Sequence, residues 1–280
     1  MKCKICNNKT CNIFSAKIFN GSNIKYYFCD YCGFLQTEEP YWLKEAYSNS
    51  ISFADTGIMS RNIGNSKTTA VILYFLFSKY GKFLDYGGGY GIFTRLMRDI
   101  GFDFYWYDSH STNLLARGFE IKNKNCKYEL VTVFEVFEHF SEPIKEIKSM
   151  LQFSDNILFS TELLPSAIPK PEEWWYYALE SGQHISFYSY RTLKYVAQKY
   201  DMNLCSNGRD IHMFTKNRKI NNKLFNFLLK FQRFGLFFYV KKKMKSLTVD
   251  DMNFLISKIY GGQKMKIILS SILHLGEYRK

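Results

Sequence analysis

The stretch Phe83-Leu84-Asp85-Tyr86-Gly87-Gly88-Gly89-Tyr90-Gly91 decides the fold of this chain, because an apolar strand end and an acid lead directly into glycines. Glycines at 87, 89 and 91 allow a sharp backbone turn, and the first amides of the following helix point toward whatever the turn binds. A dinucleotide fingerprint would need its third glycine at position 92, which is Ile92, and no Gly-Lys-Ser/Thr sequence follows. The stretch therefore predicts a cofactor loop of another kind.

Two further strand ends follow at the spacing of βαβ units. Residues 104–107 form an apolar run that ends at Asp108, a carboxylate placed to bind the ribose hydroxyls of an adenosine. Residues 92–100 predict the intervening helix, because their apolar side chains recur on one face. Residues 130–134 predict a buried strand, and Glu135-Val136-Phe137-Glu138-His139 follows it. Each acid thus stands at the carboxyl end of a strand in an alternating β/α pattern.

These three segments resemble the motifs of the class I S-adenosylmethionine (SAM) methyltransferases. The resemblance implies a Rossmann-like α/β sheet, mostly parallel with an antiparallel last strand, and SAM as the cofactor. Independently, residues 202–206 and 211–215 predict two strands joined by an Asn207-Gly208 hairpin turn, which would supply the antiparallel strand. The cofactor-binding residues that follow from the motif positions are Asp85, Gly87, Gly89, Gly91, Asp108 and Phe134.

Two Cys-x-x-Cys pairs lie near the N-terminus. Thiolates at this spacing suit one tetrahedral zinc ion, and Gly33 fits the tight turn of a zinc knuckle. A redox dithiol would explain one pair but not two. Four thiolates leave no open coordination position, so we predict structural Zn²⁺ that stabilises a short N-terminal ribbon. The predicted ligands are Cys3, Cys6, Cys29 and Cys32.

Whether the remaining cysteines form disulfides depends on the cellular compartment. No signal peptide opens the chain and no apolar run reaches the length of a membrane span, which favours a cytoplasmic protein. Disulfides are disfavoured in that compartment. Cys11 lies outside the metal pattern, and Cys126 and Cys205 are predicted to be small core residues.

The net charge of +13 is concentrated at one end of the chain. Residues 1–215 hold 23 Lys/Arg against 22 Asp/Glu, whereas residues 216–280 hold 15 against 3. The total therefore implies no basic surface around the cofactor cleft. Residues 223–245 alternate apolar and basic side chains, and this cationic amphipathic segment suits peripheral association with an anionic membrane at the inner face. The alternative is a helix packed on the core or across a homodimer, with its lysines in solvent.

A four-cysteine ribbon followed by a SAM domain is similar to the architecture of the sugar C-methyltransferases and of related polysaccharide-cluster methyltransferases. The resemblance covers residues 1–216 and implies a zinc-ribbon module at 1–45 and a methyltransferase domain at 46–216, which leaves a basic helical tail at 217–280. The Glu-His-x-Ser-Tyr-Phe segment of that group, with its active-site histidine, is matched by Gln183-His184-Ile185-Ser186-Phe187-Tyr188. Gln183 departs from the pattern, and an amide cannot act as a general base for C-methylation.

Methyl transfer to a hydroxyl needs a group that removes a proton. His184 is the first candidate, because imidazole titrates near neutral pH, and Glu135 is the second. Tyr188 is the third catalytic candidate. It belongs to an aromatic set with residues 174–177 that suits stacking on a sugar, although part of this set must be core in a chain that is 18% aromatic. Glu138 and His139 are predicted to be loop and helix-cap residues, with a functional role of His139 as the alternative.

The sequence thus predicts an enzyme that methylates a sugar nucleotide or a surface glycan, with O-methylation favoured. The alternative is a zinc-ribbon methyltransferase of rRNA or tRNA. The nearly neutral body and the lack of an Asn/Asp-Pro-Pro-Tyr/Phe motif make nucleic acid the weaker choice. A non-catalytic scaffold is disfavoured because the glycine loop, Asp85 and Asp108 are intact.

Overall fold

The computed structural model describes residues 1–48, 55–123 and 125–260, so that residues 261–280 of the predicted tail lie outside the described part. The strands are β1 (Cys11–Lys17), β2 (Asn23–Phe28), β3 (Leu35–Thr37), β4 (Lys82–Tyr86), β5 (Asp103–Tyr107), β6 (Leu130–Val133), β7 (Asn156–Ser160), β8 (Ser186–Phe187), β9 (Asn203–Ser206) and β10 (Ile211–Thr215). The α-helices are α1 (Leu43–Ala46), α2 (Ile58–Leu76), α3 (Ile92–Ile100), α4 (Pro143–Leu151), α5 (Tyr190–Lys199), α6 (Asn222–Phe231), α7 (Phe237–Lys243) and α8 (Thr248–Tyr260). Short 3-10 turns cover Phe137–His139 and Trp175–Tyr177, and a π turn covers Gln232–Leu236.

The large sheet has six strands in the order β5-β4-β6-β7-β10-β9. Strands β5, β4, β6 and β7 pair in parallel, whereas β10 pairs antiparallel with both of its neighbours. Because the parallel strands share one direction, the acids that follow them meet at a single sheet edge. The predicted Rossmann-like methyltransferase sheet with an antiparallel last strand is confirmed.

The alternation of side chains along the central strands produces a three-layer structure. Leu84 and Val131 face a core with α4, α5 and the N-terminal ribbon, while the neighbouring Phe83 and Leu130 face a core with α2, α3, α6 and α7. Strand β6 is buried over its whole length, as expected for a parallel strand covered on both faces.

The ribbon is continuous with the methyltransferase part of the chain. Strands β1, β2 and β3 form an antiparallel sheet whose fourth strand is β8, so residues on either side of position 45 share one sheet. The carbonyl of Cys32 accepts a hydrogen bond from Thr192 Oγ1 at 3.0 Å, in the first turn of α5. The cysteine end of the ribbon therefore packs into the core instead of standing apart as a separate module.

The tail packs on the sheet's second face with part of its apolar surface. Five of its side chains are buried in the core that includes α2, namely Ile220, Phe225, Leu228, Phe237 and Val240. Asp251 of α8 accepts hydrogen bonds from Arg98 of α3 at 2.7 and 2.8 Å, and this pair is buried. Among the described residues no helix is long and apolar enough to cross a membrane.

Candidate active site

The glycine loop between β4 and α3 is closely packed at Gly87 and Gly91 and open at Gly89. Gly87, Gly89 and Gly91 have φ values of +74°, +52° and +82°, the left-handed region that favours glycine. A Cβ at Gly87 would lie 2.7 Å from Val136 Cγ2, and one at Gly91 would lie 2.5 Å from Asn113 Oδ1. At Gly89 a Cβ would meet nothing within 4 Å. The loop therefore presents bare backbone to an open space at its centre.

Asp85 lies beneath this loop. Asp85 is only 3% exposed, and its carboxylate accepts hydrogen bonds from Thr94 Oγ1 at 2.9 Å and from Thr132 Oγ1 at 3.3 Å. Burial raises the pKa of Asp85 to about 7. These contacts join β4, β6 and α3, so Asp85 fixes the loop from below.

Asp108 stands on the open side of the loop, at the end of β5. Its Oδ2 accepts a hydrogen bond from Gly89 N at 2.9 Å, and its Oδ1 accepts from the backbone amides of His110 and Ser111 at 2.7 and 2.9 Å. Phe134, partly exposed at the end of β6, packs edge-on to Phe93. A carboxylate for a diol beside an open glycine backbone fits SAM, whose adenosine carries both a ribose diol and a flat base.

Glu135 has an unusual backbone conformation at the carboxyl end of β6. Its φ is +57°, a left-handed conformation that is strained for a glutamate and that recurs at functional sites. Ser160 of β7 holds it at two points, since Ser160 Oγ donates to Oε1 at 2.7 Å and accepts from Glu135 N at 2.8 Å. Arg61 Nε lies 3.6 Å from Oε2, and Arg61 also pairs with Asp55. The carboxylate remains 36% exposed within this support.

Glu138, His139 and His184 form a cluster that the sequence did not predict. One potential ligand atom from each residue lies within 4.8 Å of those of the other two, and the two imidazole rings are 4.9 Å apart. Glu138 is fully buried, and neither carboxylate oxygen has a hydrogen-bond partner among the described residues. The prediction that Glu138 and His139 are loop and cap residues accounts for neither property. The adjacent Glu and His after a strand were the available signal, but no sequence pattern places His184 beside them.

Both histidines of this cluster are anchored through Nδ1. His184 Nδ1 lies 2.7 Å from the Tyr176 carbonyl oxygen, and His139 Nδ1 lies 3.1 Å from the Gln183 carbonyl oxygen and 2.8 Å from the Tyr47 hydroxyl. A carbonyl can only accept, so Nδ1 of His184 carries the proton and its Nε2 keeps the lone pair. The Gln183 carbonyl favours the same tautomer of His139, in which the Tyr47 hydroxyl also accepts from Nδ1. Burial lowers the pKa of His139 to about 4 and that of His184 to about 3. Both rings are therefore neutral at pH 7.

The predicted aromatic set is mostly core. Tyr188 is fully buried, and its hydroxyl donates to the Phe137 carbonyl at 3.0 Å, so the structure places it in the core and not among the catalytic candidates. Trp174, Tyr176 and Tyr177 are buried, whereas Trp175 is 74% exposed. Of this set, Trp175 alone has a largely exposed ring.

The four predicted zinc ligands come together at the base of the ribbon. Their Sγ atoms lie within 4.8 Å of one another, and Ile5 N donates to Cys3 Sγ at 3.4 Å. The Sγ atoms of Cys3 and Cys32 lie 3.5 Å apart, and this contact lowers the pKa of Cys3 and raises that of Cys32, as expected for two thiols that share a proton. This geometry is consistent with a zinc site of four thiolates.

The other three cysteines differ in exposure. Cys11 and Cys126 are exposed and Cys205 is buried. The core prediction is thus correct for Cys205 and wrong for Cys126. Cys126 lies in the irregular segment that leads to β6, which offers its thiol no apolar cover.

A family model described as a methyltransferase domain matches residues 61–207, slightly more than half of the chain. The chain therefore belongs to this methyltransferase family, and it is a class I SAM-dependent methyltransferase. The matched residues include the glycine loop, Asp108, Glu135 and the histidine cluster, and they exclude the four cysteines and α6 to α8.

Solved methyltransferases share limited similarity with this chain. Magnesium protoporphyrin IX methyltransferase (ChlM) from Synechocystis PCC 6803 with bound SAH is 11% identical over 62% of this chain and 93% of that one, with a TM-score of 0.41. An O-methyltransferase family protein from Burkholderia thailandensis is 11% identical (64% and 63% covered, TM-score 0.47), and CalO1, a methyltransferase in calicheamicin biosynthesis, is 13% identical (61% and 60%, TM-score 0.41). In the last two comparisons this chain spans less than two thirds of the relative. Curated protein sequences give no match.

Proposed function

We propose that this methyltransferase transfers the methyl group of SAM to a hydroxyl of a sugar, carried by a sugar nucleotide or by a glycan. The observation that carries the proposal is the strained, partly exposed Glu135 at the carboxyl end of β6. Val136, the next residue, packs under Gly87 of the cofactor loop, so the carboxylate is close to the loop through one covalent neighbour. A supported carboxylate in this position suits an acceptor whose proton must be removed.

For methyl transfer to a hydroxyl, the protein must position the acceptor oxygen and remove its proton. When bound, SAM supplies a methyl group on a sulfonium centre, which is itself the electrophile. The chain's residues must hold the acceptor oxygen in line and accept its proton. Glu135 is the proton acceptor in this proposal, since its carboxylate is open to the acceptor side while Ser160 and Arg61 fix its direction. His184, the first candidate from the sequence, is more enclosed than Glu135, and its Nδ1 donates to the Tyr176 carbonyl.

A sugar acceptor is favoured by the polar groups around Glu135 and by the exposed ring at Trp175. Arg61, Asp55 and Glu135 provide donors and acceptors that suit several hydroxyls at once. Trp175 offers an exposed indole of the kind that stacks on sugar faces. The nearly neutral body of the chain, with 23 basic and 22 acidic residues up to position 215, gives a phosphate backbone little attraction.

The test compares Glu135→Gln with His184→Ala, using labelled SAM and separate pools of sugar nucleotides, lipid-linked glycans and RNA. Methyl transfer to a sugar pool is expected for the wild type. Glu135→Gln is expected to lower kcat by roughly 10²- to 10⁴-fold while SAM affinity stays unchanged, because general base catalysis contributes that much. Glu142→Gln, an exposed acid at the start of α4, is the matched control with unchanged kcat. Methylation of RNA alone, or a fully active Glu135→Gln enzyme, contradicts the proposal.

We further propose that the tail brings the enzyme to an anionic membrane. Beyond the buried side chains of α6 and α7, an outer surface exposes large aromatic rings: Phe227, Phe231, Phe234, Phe238 and Tyr239. Lys241, Lys242 and Lys243 follow directly and are exposed, and Lys243 Nζ lies 5.8 Å from the Tyr239 ring centre. Aromatic side chains beside lysines match the apolar boundary and the negative charge of such a surface.

Sedimentation with vesicles tests this tail proposal. The full chain is expected to bind phosphatidylglycerol vesicles, to bind phosphatidylcholine vesicles weakly, and to lose binding as salt is raised. Phe234→Ser/Phe238→Ser should abolish binding with an unchanged melting temperature, because both rings are more than 70% exposed. Self-association in place of vesicle binding would assign the surface to a second copy of the chain.

A further inference from the structure

We propose that Glu138, His139 and His184 bind one divalent cation in a site separate from the four cysteines. The three residues come from two segments, the 3-10 turn after β6 and the loop before β8. Their potential ligand atoms already lie within 4.8 Å of one another, so small side-chain rotations bring all three into contact with a single ion.

The strongest sign of a missing partner is the Glu138 carboxylate. It is completely buried, and neither of its oxygens makes a hydrogen bond of normal geometry in the described part of the chain. The Tyr176 hydroxyl lies beside it and is 3.2 Å from Thr161 Oγ1. Arg61, the nearby cation, is engaged by Asp55 and Glu135. An unpartnered carboxylate in a protein interior is costly, and a cation bound between its oxygens and two imidazoles would remove that cost.

The histidines are oriented as metal ligands usually are. In each ring Nδ1–H is held by a backbone carbonyl, that of Gln183 for His139 and that of Tyr176 for His184. This contact fixes the neutral tautomer that leaves the Nε2 lone pair free, and such outer hydrogen bonds are the common support of metal-binding histidines.

The donor set indicates the class of ion. Two imidazoles and one carboxylate suit a first-row divalent cation such as Mn²⁺ or Fe²⁺ with coordination positions left open, whereas four thiolates select zinc. Where the acceptor is a sugar hydroxyl, an open position can bind that oxygen and favour loss of its proton to Glu135. This last step rests on the proposed function, while metal binding itself does not.

The experiment titrates Mn²⁺ into the full chain without substrate and follows the loss of the free-ion signal by electron paramagnetic resonance. One Mn²⁺ per chain is expected, with affinity lowered about 100-fold or more in Glu138→Gln and His184→Ala, because each loses one of three ligands. Glu142→Gln is the control that keeps binding. Cys29→Ser, which disrupts the thiolate site, should leave Mn²⁺ binding intact if the variant folds, since Mn²⁺ prefers oxygen and nitrogen ligands.

Melting temperatures separate this role from a structural one. Metal-free Glu138→Gln is expected to remain folded, because an amide has nearly the shape of the carboxyl group, and to lose the rise in melting temperature that Mn²⁺ gives the wild type. Absence of Mn²⁺ binding, or equal binding by wild type and Glu138→Gln, overturns the site. Bound Mn²⁺ without sugar methylation would reject only the proposed function, and metal-independent sugar methylation without Mn²⁺ binding would reject only the cation site.

Discussion

Asp108→Ala tests the cofactor site most directly. The Asp108 carboxylate accepts three backbone hydrogen bonds, one from Gly89 in the glycine loop and two from the segment after β5. The variant removes the acceptor that ties these two segments together and the carboxylate that would bind the ribose diol. Loss of a charge-assisted pair of hydrogen bonds costs roughly 2 to 4 kcal/mol, which corresponds to about a 30- to 1000-fold rise in the Kd of SAM.

Isothermal titration calorimetry with SAM measures this change, and circular dichroism confirms that the variant is folded. Asp201→Ala is the matched control, because that acid is 90% exposed and pairs with Arg218 away from the loop. Gly87→Val should also weaken binding, since its side chain would have to displace Val136. SAM affinities within twofold of the wild type in both Asp108→Ala and Gly87→Val would refute the assignment of the cofactor loop.

Three further predictions concern stability and metal content. Asp251→Ala leaves the buried Arg98 with Asp103 as its one acidic partner among the described residues. We therefore expect the free energy of unfolding, measured in urea, to fall by about 3 kcal/mol. A fall below about 1 kcal/mol would contradict the argument from the buried ion pair. Cys11→Ser should retain one zinc per chain by metal analysis and Cys29→Ser should retain none; the reverse result would reject the ligand set. His212, with a pKa lowered by burial to about 4, binds a proton less readily than in the unfolded chain, so stability should fall as pH drops from 6.5 to 4. In urea unfolding at several pH values, His212→Gln should reduce the free energy of unfolding that is lost between pH 6.5 and pH 4 by roughly 3 kcal/mol. An unchanged loss would show that other groups cause the pH dependence.

The sequence was sufficient for the sheet and the cofactor loop because both are specified locally. Glycines at alternate positions after an acid, and acids at strand ends, encode backbone conformation and direction within a few residues. The ribbon ligands were predictable for the same reason, since each Cys-x-x-Cys pair is a local turn. In the structure the four thiols do converge, and Gly87, Gly89 and Gly91 do adopt left-handed conformations.

The part of the site that could not be predicted depends on contacts distant in sequence. Whether Glu138 faces solvent or the interior is decided by the loop that carries His184, which the fold brings beside it. Tyr188 illustrates the opposite error: an aromatic residue four positions after His184 looks like a site residue, yet it packs in the core, where its hydroxyl donates to the Phe137 carbonyl. The backbone strain at Glu135 is likewise invisible in a sequence, because no local rule requires φ +57° at a glutamate.

The position of Glu135 between the glycine loop and the Glu138, His139 and His184 cluster connects the two proposals. Its own carboxylate is satisfied by Ser160 and Arg61, while Glu138, three residues further on, makes no side-chain hydrogen bond of normal geometry among the described residues. Burial, and after it the nearby Glu135 carboxylate, raise the pKa of Glu138. A cation bound at Glu138 would offset the repulsion between the two carboxylates. The loss of methyl transfer in Glu138→Gln should therefore resemble that in Glu135→Gln, even though only Glu135 is proposed to take the proton.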